Sequence, residues 1–170
     1  MSGQVQVRND DLVTLLRSEF PRSPWGCAFL AYNSVTDVDV TGNGTLVTVD
    51  FDTEVFDLGN DFAADIFTAP ATGTYQFNAA VMLQNLAAAH TSGNIEIVTS
   101  NRRYTFVYAN LFPIESSADL VQLVGSTLAD MDATDTAYVR VNVSNGAKVV
   151  DIFGAAPAVL YTYFSGHRVS

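Results

Sequence analysis

Basic residues are nearly missing from this sequence. Of 170 residues only 8 are Lys or Arg, against 18 Asp or Glu, and the formal charge at pH 7 is -10. Lysine occurs once, at Lys148. Nucleic-acid binding is driven by cations that release the counterions of phosphates, so this balance excludes DNA and RNA as expected partners. Cysteine also occurs once, at Cys27, which rules out an intrachain disulfide. No apolar run approaches the ~20 residues that cross a bilayer as a helix, so membrane insertion is not expected. Met1 to Arg8 lacks the basic start and apolar stretch of a secretory signal. Charge of either sign is scarce as well: 15% of the chain is charged and 48% is apolar. That is thin polar cover for a monomer, and part of the apolar surface is expected to meet another subunit.

What the chain has instead is Val, Thr, Phe and Tyr, the residues that suit a pleated, half-buried surface. Residues 74–81 alternate cleanly: Tyr75, Phe77, Ala79 and Val81 share one face, while Thr74, Gln76 and Asn78 share the other. Just before them, Pro70 and Gly73 mark a turn that ends the preceding run at Ile66-Phe67. Further strands are predicted over residues 27–32, 45–51, 95–99, 103–109, 120–128, 137–143, 149–153 and 159–164, with Thr41-Gly42-Asn43-Gly44 read as a hairpin turn. Eight or more strands without helical periodicity between them predict an all-β, two-sheet antiparallel sandwich or jelly roll over residues 26–170. Residues 1–25 differ. Asn9 or Asp10 caps a short predicted helix whose Leu12, Val13, Leu15, Leu16 and Phe20 form one apolar stripe, stopped at Pro21. A helix this short needs a surface to lie on, so the segment reads as an N-terminal arm that docks on this domain, a second copy or another protein.

No constellation in the sequence supports catalysis. His90 sits in a polar loop and His167 near the C-terminus, neither with Glu or Cys at metal-ligand spacing; His90 is read as solvated. Cys27 begins an apolar strand and reads as a small buried hydrophobe. Two acidic regions stand out: Asp37, Asp39, Asp50, Asp52 and Asp57, and the run Asp130-Met131-Asp132-Ala133-Thr134-Asp135. Asp130, Asp132 and Asp135 are candidate Ca²⁺ ligands, because short carboxylates in a turn offer the oxygens that calcium takes, although the closing Glu of an EF-hand is missing. The alternative is plain solvated turn aspartates, and no other cofactor is implied. Arg102-Arg103, followed by Tyr104, Phe106 and Tyr108, reads as an edge strand protected by charge, with an aromatic-basic ligand platform as the alternative.

Three motifs in order carry a family resemblance. Phe67 is followed after five residues by Gly73-x-Tyr75-x-Phe77; Asp135-Thr136-Ala137-Tyr138-Val139-Arg140-Val141 comes next; Tyr163-Phe164-Ser165-Gly166 lies near the C-terminus. From Cys27 onward the sequence resembles the globular heads of the C1q and tumour-necrosis-factor superfamily. The resemblance implies a ten-stranded jelly roll assembled as a compact homotrimer, with Tyr75, Phe77, Tyr161, Tyr163 and Phe164 as candidates for the core and the threefold interface. The arm, which carries Leu12, Leu15, Leu16 and Phe20, is expected to take the place of the collagen-like stalk common in animal members. The resulting expectation is a non-enzymatic homotrimeric structural or binding protein of a bacteriophage virion surface, either a capsid decoration protein or a fibre or spike tip recognising a host receptor. Its expected partners are other virion or surface-assembly proteins and a glycan. The alternative is a carbohydrate-binding or adhesion module of a bacterial surface protein.

Overall fold

The computed structural model describes residues 26–114, 119–155 and 157–170. The arm residues Leu12, Leu15, Leu16 and Phe20 therefore lie outside the described residues.

Thirteen strands are present among the described residues. They are β1 (Ala28–Tyr32), β2 (Asp37–Thr41), β3 (Leu46–Thr48), β4 (Thr53–Asp57), β5 (Phe62–Ala63), β6 (Ile66–Thr68), β7 (Gly73–Gln84), β8 (Ser92–Thr99), β9 (Arg103–Ala109), β10 (Leu120–Met131), β11 (Thr136–Ser144), β12 (Val150–Ile152) and β13 (Tyr163–Arg168). They form two antiparallel sheets, as a jelly-roll sandwich requires. β7 is the pivot of the first: β10 pairs along its whole length on one edge, while β13 and then β12 share the other. β13 leads on to β1 and β4, and β12 leads on to β2. The second sheet runs β5-β6-β11-β8-β9, with β3 added to β11 beside β6.

The alternation in β7 explains why the sheets face each other where they do. Tyr75, Phe77, Val81 and Leu83 are fully buried, in one core cluster with Phe29 of β1, Phe67 of β6 and Phe164 of β13. The rings interlock. Phe29 stacks on Phe62 at 4.8 Å and on Phe67 at 5.2 Å, Phe77 stacks on Phe164 at 5.6 Å, and Phe67 meets Phe77 edge-on at 5.4 Å. Offset and edge-to-face pairs of this kind add to the hydrophobic gain of burying each ring. The motif residues are thus the aromatic centre of the core. Gly166 completes it, because its Cα passes so close to Phe77 and Phe29 that a Cβ there would lie 2.6 Å from Phe77 Cδ1 and 2.8 Å from Phe29 Cε1.

Several local expectations change. Thr41-Gly42-Asn43-Gly44 does not close a hairpin: β2 pairs with β12 in one sheet and β3 with β11 in the other, so the turn carries the chain across the sandwich. Gly42 (φ 124°) and Gly44 (φ 91°) adopt the left-handed backbone that lets both amides reach the Val143 carbonyl. The predicted strand 45–51 is short, ending at Thr48, and β4 follows it as an edge strand on β1. The last strand is displaced from 159–164 to Tyr163–Arg168.

Candidate interaction surface

The register of the β7 sheet fixes which residues turn away from the core. Tyr32, Tyr163, Ala80 and Val124 form one row across β1, β13, β7 and β10; Phe56, Leu30, Ser165, Asn78 and Ser126 form the next across β4 to β10; Ala28, His167, Gln76 and Leu128 form a third. Of these, Val124 and Leu128 are each 56% exposed and Phe56 is 43% exposed, whereas Tyr32 and Ala80 are buried within the subunit. Three of the polar side chains between them are amides or hydroxyls bonded to one another: Gln76 Nε2 donates to Ser126 Oγ at 2.8 Å, which donates to Asn78 Oδ1 at 2.9 Å. At one end the connection between β12 and β13 reaches over to β10, where Gln122 Nε2 donates to the Tyr161 carbonyl at 2.9 Å and Tyr161 meets Phe153 edge-on. On a chain of net charge -10, these three rows carry no Asp, Glu, Lys or Arg. A face without acidic, Lys or Arg side chains that exposes Val, Leu and Phe has the composition of an interface core.

The candidate aromatics divide between two places. Tyr75, Phe77 and Phe164 are fully buried between the sheets, so they hold the fold; Tyr161 and Tyr163 are half-buried, and Tyr163 lies in the outward rows. Sequence reasoning did not single out Tyr32, Leu30, Val124, Leu128 or Phe56 for this face. The signal was present in the uncharged alternate positions of β7 and in the charge-free run from Leu120 to Ala129.

The opposite outward face, on the β11 sheet, is organised by charge. Arg140 contacts Glu96 through both Nε and Nη2 at 2.8 Å, and Thr105 Oγ1 donates to the other Glu96 oxygen at 3.1 Å. Their side chains are 16% and 10% exposed, so this pair is far better shielded than Arg102–Asp130, at 54% and 65%. β9 is the edge strand, as Arg102-Arg103 suggested. A bulge places Val107 at φ 44° and leaves Tyr108 77% exposed, which breaks the regular edge that another strand would pair with.

The candidate calcium ligands are engaged with protein donors. Asp130 pairs with Arg102, Asp132 accepts from Thr72 Oγ1 at 3.3 Å, and Asp135 accepts from Asn101 Nδ2 and the Asp132 amide, both at 2.9 Å. Among the described residues no group of three or more acidic, His or Cys side chains is arranged to hold a metal ion. In the other acidic region, burial pushes the Asp37 and Asp50 carboxyls up from their ordinary range, helped in both by the negative charges of Asp52 and Asp65. Asp52 goes the other way, because hydrogen bonds from Thr53 and Ser34 outweigh its burial. Burial and the nearby Asp61 push the Cys27 thiol up to about 12, so it stays a protonated, inert core group.

His90 is not a solvated loop residue. It is 1% exposed, its Nδ1 accepts from the Ala87 amide at 2.8 Å and its Nε2 lies 2.9 Å from the Ala147 carbonyl. Loop composition misled here, because one of the ring's partners comes from a segment 57 residues away. Among the described residues no helix is long and apolar enough to cross a membrane.

Comparison with known proteins finds no matching family model and no matching curated protein. Solved structures do match. The globular domain of a zebrafish complement 1qA protein superposes with a TM-score of 0.54 at 16% identity, covering 85% of this chain and 98% of that one. Murine APRIL superposes with a TM-score of 0.53 at 13% identity, covering 84% and 98%. The jelly roll implied by the three motifs is therefore the fold of this chain, and at such identities the likeness is one of fold.

Proposed function

We propose that the chain is a non-enzymatic homotrimeric structural or binding module whose subunits close on one another through the outward face of the β7 sheet. The observation that carries this reading is the set of rows without Asp, Glu, Lys or Arg from Phe56 and Leu30 to Val124 and Leu128, which leaves Val, Leu and Phe side chains in water in a lone subunit. A cyclic interface buries the same face in every copy, and obligate interfaces of this type commonly bury ~2,000 Å² or more. The number three comes from the resemblance to C1q and tumour-necrosis-factor heads. The absence of an enzymatic role is supported by the state of the candidate groups: both His90 nitrogens are taken up by backbone, and the Cys27 thiol is buried and protonated.

In the virion setting favoured by the sequence, the arm with Leu12, Leu15, Leu16 and Phe20 attaches the trimer to the particle, and no metal is needed. β1, which follows the arm, starts at the end of the sandwich that also holds Arg168 and Gly73. Replacing Val124 and Leu128 by Asp tests the assembly: a folded subunit that no longer associates supports it, and an unchanged oligomer sinks it. Removing residues 1–25 tests attachment, with undiminished particle binding counting against the arm.

A carbohydrate-binding module of a bacterial surface protein is the second reading. Tyr108, standing 77% exposed from the β9 bulge, favours it, since sugars stack on aromatic rings. Reproducible signals on a glycan array that vanish in Tyr108→Ala would establish this reading over the purely structural one.

A further inference from the structure

The His90 ring is the hub of three loops at the end of the sandwich where β7 finishes at Gln84. Its own loop supplies the Ala87 amide, the β11–β12 connection supplies the Ala147 carbonyl, and the β2–β3 crossing packs Gly42 against the ring edge. The three segments are bonded to one another as well: Gly146 N–H donates to the Gly42 carbonyl at 3.0 Å, and Asn145 Nδ2 donates to Thr91 Oγ1 at 2.9 Å. Gly146 must be glycine, because a Cβ there would run into the imidazole.

The partners dictate the state of the ring. A backbone amide only donates, so Nδ1 is bare; a carbonyl only accepts, so Nε2 carries the hydrogen. A single neutral tautomer satisfies both. We propose that His90 is an acid-sensitive clasp: a proton taken from solvent at Nδ1 sets two hydrogens against each other at Ala87, breaks that bond and loosens the three-loop junction. No carboxylate bonds either ring nitrogen to compensate the charge. In the three segments Lys148 is the one other ionisable side chain, and it is of like sign. On the strands leading into them, Asp37 and Asp39 stand on β2, Glu96 on β8, Arg140 on β11 and Asp151 on β12; Asp37 accepts from Asn33 Nδ2 at 2.8 Å, Glu96 and Arg140 pair with each other, and the Asp151 oxygens already accept from the Asp39 amide at 2.8 Å and Asn85 Nδ2 at 2.7 Å.

Amide exchange followed by NMR on the intact protein between about pH 8 and about pH 5, the range in which imidazole charges, tests the clasp. After correction for intrinsic exchange, protection at Ala87 and Gly146 is expected to fall about tenfold with acid, as loss of one net hydrogen bond predicts, while Ile97 in the core holds. His90→Asn keeps an acceptor at the Nδ1 position without the titration, so its protection is expected to be flat. Constant protection at Ala87 in the wild type, or an equal acid loss in His90→Asn, overturns the proposal. Should His90→Asn fail to fold, the wild-type imidazole nitrogen spectrum decides: charging must coincide with the loss at Ala87, and charging without that loss, or no charging, overturns it.

Discussion

Gly166→Ala adds a single methyl group where the structure has no room for one. The new Cβ would sit 2.6 Å from Phe77 Cδ1 and 2.8 Å from Phe29 Cε1, well inside van der Waals contact. Neither ring can move aside, because Phe77 is stacked on Phe164 and set edge-on to Phe67, while Phe29 is stacked on both Phe62 and Phe67. Overpacking a core in this way costs about 1–3 kcal/mol. Against it stands the lower chain entropy of unfolded Ala relative to Gly, about 0.4–1 kcal/mol in favour of the variant. The clash wins by about 1–2 kcal/mol, and with a urea slope of about 2 kcal/mol per M the unfolding midpoint falls by about 0.5–1 M. Equilibrium unfolding at one fixed protomer concentration measures this, since association makes apparent stability depend on concentration. On a Phe77→Leu background the same change should cost less, because residues in contact couple, with the clash against Phe29 remaining. A midpoint equal to or above the wild type would show that the Phe-Ser-Gly motif does not owe its glycine to ring packing.

Four further outcomes follow from the same geometry. Gly125→Val should destabilise through collision with the Phe106 ring, which packs over Gly125 where the edges of the two sheets meet, and Phe106→Ala should relieve part of that cost in a double-mutant cycle. Glu96→Gln, which strips Arg140 of its shielded partner, should lower the urea midpoint clearly, whereas Arg102→Ala at the exposed pair should cost under about 1 kcal/mol and less still in high salt. The Asp50 carboxyl is raised above its unfolded range, so its favourable contribution is present in acid and lost as pH rises; Asp50→Asn should therefore stabilise the protein at neutral pH and make no difference in acid, as pH-dependent urea titrations would show. Cys27 should resist a thiol reagent at pH 8 until urea unfolds the chain, and rapid labelling of the native protein would contradict its burial.

The central elements were legible because their signal is local. β7 alternates residue by residue, and Phe67, Tyr75, Phe77, Phe164 and Gly166 are the groups that pack one another, so the motif that named the fold is also its core. β2 and β4 escaped because they bury almost nothing: the exposed sequence Thr53-Glu54-Val55-Phe56-Asp57 has no alternation to read, and only its neighbour β1 makes it a strand. The turn at Gly42 reads as a hairpin until its flanks are seen in different sheets. His90 was misread for a related reason, since nothing near Ala87-Ala88-Ala89 announces that Ala147 and Gly42 will close on the ring. The outward face of the β7 sheet was half visible. Its lack of acidic, Lys and Arg residues could be counted along the strands, but the rows that join Leu30 to Ser126 and Tyr32 to Val124 exist only once the register is set.

The most direct test of the assembly is the solution mass of the intact protein by multi-angle light scattering at micromolar concentration, with and without a calcium chelator. The account predicts a mass three times the 18.3 kDa protomer in both conditions. A mass of one protomer would contradict closure through the β7 sheet, and a trimer that falls apart on chelation would contradict an assembly held together without metal.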